Sequence, residues 1–135
     1  MRTATTVAQM LVRASGLLLI VLGVLFWTGN ALSLIPLHML LGLVLVLSLW
    51  TLAVIAARAG VSRGLVALAI VWGLVVLALG ITQTRLLPGS AHWVIQVLHL
   101  LVGLGAMGQA EGLAARIRRA ESRPSDASRS SAEAR

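Results

Sequence analysis

The sequence predicts an all-α membrane protein, a bundle of four transmembrane helices running up and down, on three observations. Hydrophobic residues make up 59% of its 135 residues and charged ones 11%, where soluble domains hold about 45–50% and 25%. No Asp, Glu, Lys or Arg occurs in 14–57, 64–84 or 86–110, and uncharged apolar runs of this length mark lipid-embedded helices. The basic residues, 11 Arg and no Lys, gather between and outside those runs.

Residues 1–11 read as a short cytoplasmic N-terminus. The first uncharged run, 14–57, has 44 residues, which as one helix at 1.5 Å per residue would be about 66 Å long, twice the hydrocarbon core of about 30 Å. It must fold back. The turn falls in Thr28-Gly29-Asn30-Ala31-Leu32-Ser33-Leu34-Ile35-Pro36, where Gly29 and Asn30 suit a helix end and Pro36 the first turn of the next. That gives spans at 12–29 and 36–57. The basic loop Arg58-Ala59-Gly60-Val61-Ser62-Arg63 leads to a third span at 64–84. A connector with Arg85, Pro88, Gly89 and Ser90 leads to a fourth at 92–115, completing a transmembrane domain over 12–115. The Ser-, Arg- and Ala-rich stretch 116–135, with Pro124, reads as a disordered basic cytoplasmic tail after one interfacial turn.

With four spans, Arg2, Arg13, Arg58, Arg63 and the six tail arginines fall on one side, and Arg85 alone on the other. This bias places both termini in the cytoplasm, in a multi-pass protein of the cell (bacterial inner) membrane. Trp27 and Trp93 then sit at the outer edges, as an aromatic belt favours. The net charge of +7 is therefore topological, with the bilayer and its anionic headgroups as partners rather than nucleic acid. A competing reading, that Arg2 to Trp27 is a signal peptide, suffers from a poor cleavage pattern and would put Arg58 and Arg116 on opposite faces. The absence of cysteine excludes disulfides, iron–sulfur clusters, thiolate zinc sites and covalent haem attachment.

Polar groups that lipid would otherwise exclude carry the functional signal: His38, His92, His99, Gln83, Gln96, Gln109 and Glu111. No acid lies at mid-membrane in the first three spans, which argues against a small multidrug-resistance exporter. His38-Met39-Leu40-Leu41-Gly42 and His99-Leu100-Leu101-Val102-Gly103 match in kind. Gly42 and Gly103 lie one turn from their histidines on the same face, leaving a flat recess beside each imidazole. Gly16 and Gly23, and Gly73 and Gly80, repeat a seven-residue spacing in the first and third spans. Together these patterns suggest two duplicated helical hairpins, with two histidines facing across a pseudo-twofold axis. A planar macrocycle ligated from both sides needs that arrangement. By rise per residue, His38 lies about 30 Å from Arg58, His99 about 26 Å from Arg116 and His92 about 36 Å. Depth leaves His92 and His99 both open as partners of His38, and the repeated motif favours His99.

These residues, with Leu79-Gly80-Ile81-Thr82 before the last outer loop, make 12–115 resemble one four-helix half of the haem A synthase family. In that family the second and fourth helices each supply a histidine to haem from the outer side. The resemblance implies that His38 and His99 are axial ligands, metal-binding through their imidazoles. The family's catalytic half carries an acid one turn before a ligand histidine, whereas this chain has Leu34-Ile35-Pro36-Leu37. What the resemblance implies is therefore haem b binding, as in the non-catalytic half, rather than haem hydroxylation. The expected function is a bis-histidine cytochrome for electron transfer or haem handling rather than a catalyst. Arg85 and His92 would pair with the haem propionates on the outer side. The alternative is a cofactor-free accessory subunit of a larger membrane complex, or a homodimer, packing through the ridge of Gly103, Gly105, Gly108 and Gly112.

Overall fold

The computed structural model describes the backbone of residues 2–133 and the side chains of 2–122. It contains four α-helices: α1 Arg2–Trp27, α2 Ile35–Arg58, α3 Arg63–Thr82 and α4 His92–Glu133. Short 3-10 turns, Leu32–Leu34 and Gln83–Arg85, lie before α2 and after α3. With those turns, all four helices are long and apolar enough to cross a membrane. The fold is the expected all-α four-helix bundle.

Two helix ends follow from glycine. Gly29 takes φ +74°, its N–H donates to Phe26 O at 3.0 Å, and Asn30 N–H donates to Leu25 O at 2.8 Å. Gly60 repeats this at φ +77°, with Gly60 N–H to Ala57 O at 3.2 Å and Val61 N–H to Ala56 O at 3.0 Å. Both are Schellman closures, which satisfy carbonyls the helix end would leave bare and need a left-handed residue. Pro36 lies in the first turn of α2, where its missing N–H costs nothing.

Both chain ends differ from the sequence expectation. Residues 2–11, expected to precede the first span, are the opening turns of α1. Thr5, Ala8, Gln9 and Val12 recur every three or four residues and are buried, so the polar start of the helix has a packed face of its own. At the other end, α4 continues as helix through Glu133 where 116–135 was expected to be a disordered tail. From Arg116 to Arg123 the chain is rich in Arg, Ala and Glu, strong helix formers that extend an already packed helix without a new nucleus, whereas Pro124 and the serines beyond it add no such preference. Ala134 and Arg135 lie outside the described residues.

The helices alternate in direction. Each packs on its neighbours in sequence, α4 closes onto α1, and α2 touches α4 across the middle, while α1 and α3 do not meet. In section the bundle is a rhombus with α2 and α4 on its short diagonal. The core lies toward the termini: Leu49, Leu52, Ala53 and Ala56 of α2 meet Val12, Ala106, Ala110, Leu113 and Ile117. Toward the α1–α2 and α3–α4 connections it thins. In 17–27, 35–44, 77–82 and 92–105, Leu22 and Ile95 alone are buried apolar residues.

Candidate functional site

His38 sits one turn into α2, held there by the Gly29 closure and by Pro36. His99 sits two turns into α4. Because α2 and α4 run parallel on the short diagonal, the two imidazoles meet inside the thinly packed end, with ring centroids 6.3 Å apart and planes inclined at 42°. Phe26, in the last turn of α1, flanks His38 with centroids 5.4 Å apart. Gly80 of α3 flanks His99, and a Cβ there would lie 3.5 Å from its Cε1. One imidazole is thus backed by an aromatic ring and the other by bare backbone.

Both rings are partly buried, and the Nδ1 of each is buried without a hydrogen-bond partner. A buried polar group left unpaired costs about 1–3 kcal/mol. Two such nitrogens lie close together here, each with a vacant hydrogen-bonding or ligating position. Two imidazoles bound to opposite sides of one first-row metal ion through bonds of about 2.0–2.1 Å have centroids about 6 Å apart. The observed separation fits that arrangement. Cβ atoms built at Gly42 and Gly103 meet nothing within 4 Å, so the recess expected beside each histidine is uncovered.

The remaining expected site residues lie elsewhere. His92, at the first turn of α4, has its Nδ1 3.2 Å from Leu86 O, bracing the connector that leads into that helix. Arg85 ends the 3-10 turn after α3 and is exposed. The structure therefore brings His38 to His99 and not to His92. Among the described residues, no three His, Cys, Asp or Glu side chains gather as a metal cluster.

The glycine ridge of α4 divides. Gly105 receives the Trp72 ring, Gly112 lies against Arg116, and Gly103 and Gly108 meet nothing. Gly16 and Gly73, one in each proposed hairpin, receive Met107 and Trp50, while Gly23 faces open space. The repeat is thus kept where large side chains fill glycine notches and lost beside the histidines.

A second polar cluster ties α1 to α4 near the termini. Arg13 donates to both carboxylate oxygens of Glu111, Nε to Oε1 at 2.6 Å and Nη2 to Oε2 at 2.8 Å. Gln9 Nε2 donates to Glu111 Oε2 at 2.5 Å, and Arg118 Nη1 donates to Gln9 Oε1 at 2.8 Å. Two turns further toward the termini, Arg2 pairs with Glu121 at 3.5 Å. Gln9 escapes a sequence reading that searches only the apolar core. Its signal is the helical spacing of Thr5, Gln9 and Val12.

Comparison with known protein families, curated proteins and solved structures found no match to this chain.

Proposed function

We propose that this protein is an integral membrane cytochrome that binds one haem b between His38 and His99. The observation that carries the proposal is the pair itself: two half-buried imidazoles on parallel helices, 6.3 Å apart, each with an unpartnered buried nitrogen. Bundle interiors are where such cofactor sites are built. The thin packing at this end leaves apolar surface for a macrocycle to cover.

Held there by His38 and His99, haem b would supply one-electron chemistry, which suits electron transfer or haem handling. The chain's own residues would do the rest. His38 and His99 would hold the iron, Phe26 would limit rotation of the His38 ring, and Gly42 and Gly103 would leave the approach unblocked. Arg85 would offer its charge to propionates, and His92 at the start of α4 a ring nitrogen. On the arginine bias, the site would lie toward the outer leaflet, with both termini and the Arg13–Glu111 cluster at the cytoplasmic headgroups and anionic lipid as their partner.

The test is an absorption spectrum of the purified protein, oxidised and dithionite-reduced, after expression with haem supplied. A Soret band with split visible bands on reduction is expected. His38→Ala or His99→Ala should abolish that spectrum and His92→Ala should leave it. A colourless protein, or a spectrum indifferent to both substitutions, would overturn the proposal.

A second reading is favoured by one feature. Gly108 and Gly112 border a groove between α3 and α4, with Leu65, Leu68 and Trp72 on its other wall. Small residues on a lipid-facing groove let another helix approach closely, as a cofactor-free accessory subunit would require. A colourless protein that co-purifies in fixed ratio with a partner, and loses it on Gly108→Leu, would favour this reading over the first.

A further inference from the structure

α3, which carries no histidine, holds the two helices that carry His38 and His99. On α2, the Trp50 indole N–H donates to the main-chain carbonyl of Ile70 on α3 at 3.2 Å, and the ring lies in the notch at Gly73. On α3, the Trp72 indole N–H donates to Val102 O on α4 at 2.9 Å, and its ring fills the notch at Gly105, where a Cβ would come within 2.7 Å of Cζ2. The two contacts are built alike. Each indole bonds a carbonyl at position i and occupies the space left by the glycine at i+3, one turn further along the same face. A side chain at either glycine would displace the ring, so each tryptophan has one seat along its partner helix.

Register needs such a device in this chain. α2 and α3 are apolar nearly all round, and between lipid-embedded helices the hydrophobic effect supplies no preferred offset. Both tryptophan contacts use one turn of α3, Ile70 to Gly73. That turn sets α2 on one side and α4 on the other. Val102 is one turn from His99, and Trp50 is 12 residues from His38 on the same helix. A slip of one turn, about 5.4 Å, is nearly as large as the 6.3 Å between the imidazoles. It would carry one ring beyond reach of a metal held by the other.

We infer that Trp50 and Trp72 are positioning residues that fix α2 and α4 against α3 and so present His38 and His99 at one level. The purpose assigned to that level, holding haem b, rests on the function proposed above. The register does not.

The chain has no cysteine, so introduced pairs report one distance each. In full-length haem-free protein in detergent, His38→Cys with His99→Cys is joined by a short bifunctional thiol reagent. Gly16→Cys with Met107→Cys serves as a folding reference, since a Cβ at Gly16 lies 2.5 Å from Met107 Sδ. Trp50→Phe with Trp72→Phe keeps a ring at each position and removes both donors. With both donors removed, the first cross-link is expected to slow about tenfold while the reference stays within about twofold. An unchanged first cross-link would overturn the inference. Equal slowing of both would overturn it too, because that describes a loosened bundle and not a lost register.

With the native histidines and haem supplied, the same tryptophan variants should shift or broaden the low-spin ferric electron paramagnetic resonance signal. An unaltered signal would count against the positioning role. A parent protein that takes up no haem would overturn the functional proposal and leave the cross-link result to decide the register.

Discussion

Glu111 shows how much of this bundle's polar chemistry one side chain organises. It accepts from Arg13 and Gln9, and Gln9 in turn accepts from Arg118, so α1 and α4 are joined through a buried amide. Gln9 is 5% exposed, and Gln9→Ala should destabilise the protein by about 1 kcal/mol, because it removes two hydrogen bonds whose partners, Glu111 and Arg118, can turn to water. Denaturation midpoints in mixed micelles measure this. Glu111→Gln should cost less than Glu111→Ala, since an amide oxygen still accepts where a methyl group accepts nothing. At this scale the histidines were readable because they carry a repeated motif, His-x-x-x-Gly, and polar groups in apolar spans are few. Trp50 and Trp72 were not. Tryptophan in a membrane sequence first suggests the interface, as at Trp27 and Trp93, and the glycines that seat these two rings lie on other helices, 23 and 33 residues along the chain. Phe26 was hidden for a similar reason, since nothing local to it says that the chain returns with His38 beside it.

Helix ends were the most legible elements, because glycine at a left-handed closure leaves a local mark. Gly60→Ala should cost about 1 kcal/mol, since a Cβ at φ +77° is sterically disfavoured there. Glycines inside the helices separate by what they touch. Gly105→Ala should lower the thermal midpoint, because a methyl group would meet the Trp72 ring, and overpacking of this kind costs about 1–3 kcal/mol. Gly23→Ala should be neutral or slightly stabilising, as it meets nothing within 4 Å and alanine is the better helix former. The sequence singled out both, Gly23 for its spacing from Gly16 and Gly105 within the α4 ridge, and did not separate them. Helix beginnings were harder: the first turns of α1 are polar enough to resemble a flanking segment, and only the partner surface on α4 makes Thr5, Ala8 and Gln9 a buried stripe. The last turns of α4 illustrate the converse, since a composition without apolar periodicity still permits helix where it extends one already formed.

For the whole molecule, the number of long apolar helices was legible by arithmetic on uncharged runs, whereas the rhombic section was not, because no composition says which diagonal closes. The proposed topology is open to direct measurement. Gly89→Cys should react with a membrane-impermeant maleimide on intact cells, and Ser122→Cys only after permeabilisation; reaction of both on intact cells would reject the proposed orientation. The uneven core has its own signature in hydrogen exchange. In protein without haem, amides of 35–44 and 92–105 should exchange faster than those of 45–56 and 106–117, and haem uptake should slow the first group. If haem stands about 1,000-fold above its dissociation constant, binding linkage adds about 4 kcal/mol of stability. The closure of α2 against α4, with α1 and α3 held apart, leaves a molecule with a stiff base and compliant jaws. On the function proposed above, haem would enter at the thinly packed end without disturbing the packed one, so bundling would come first and loading would follow as a separate event.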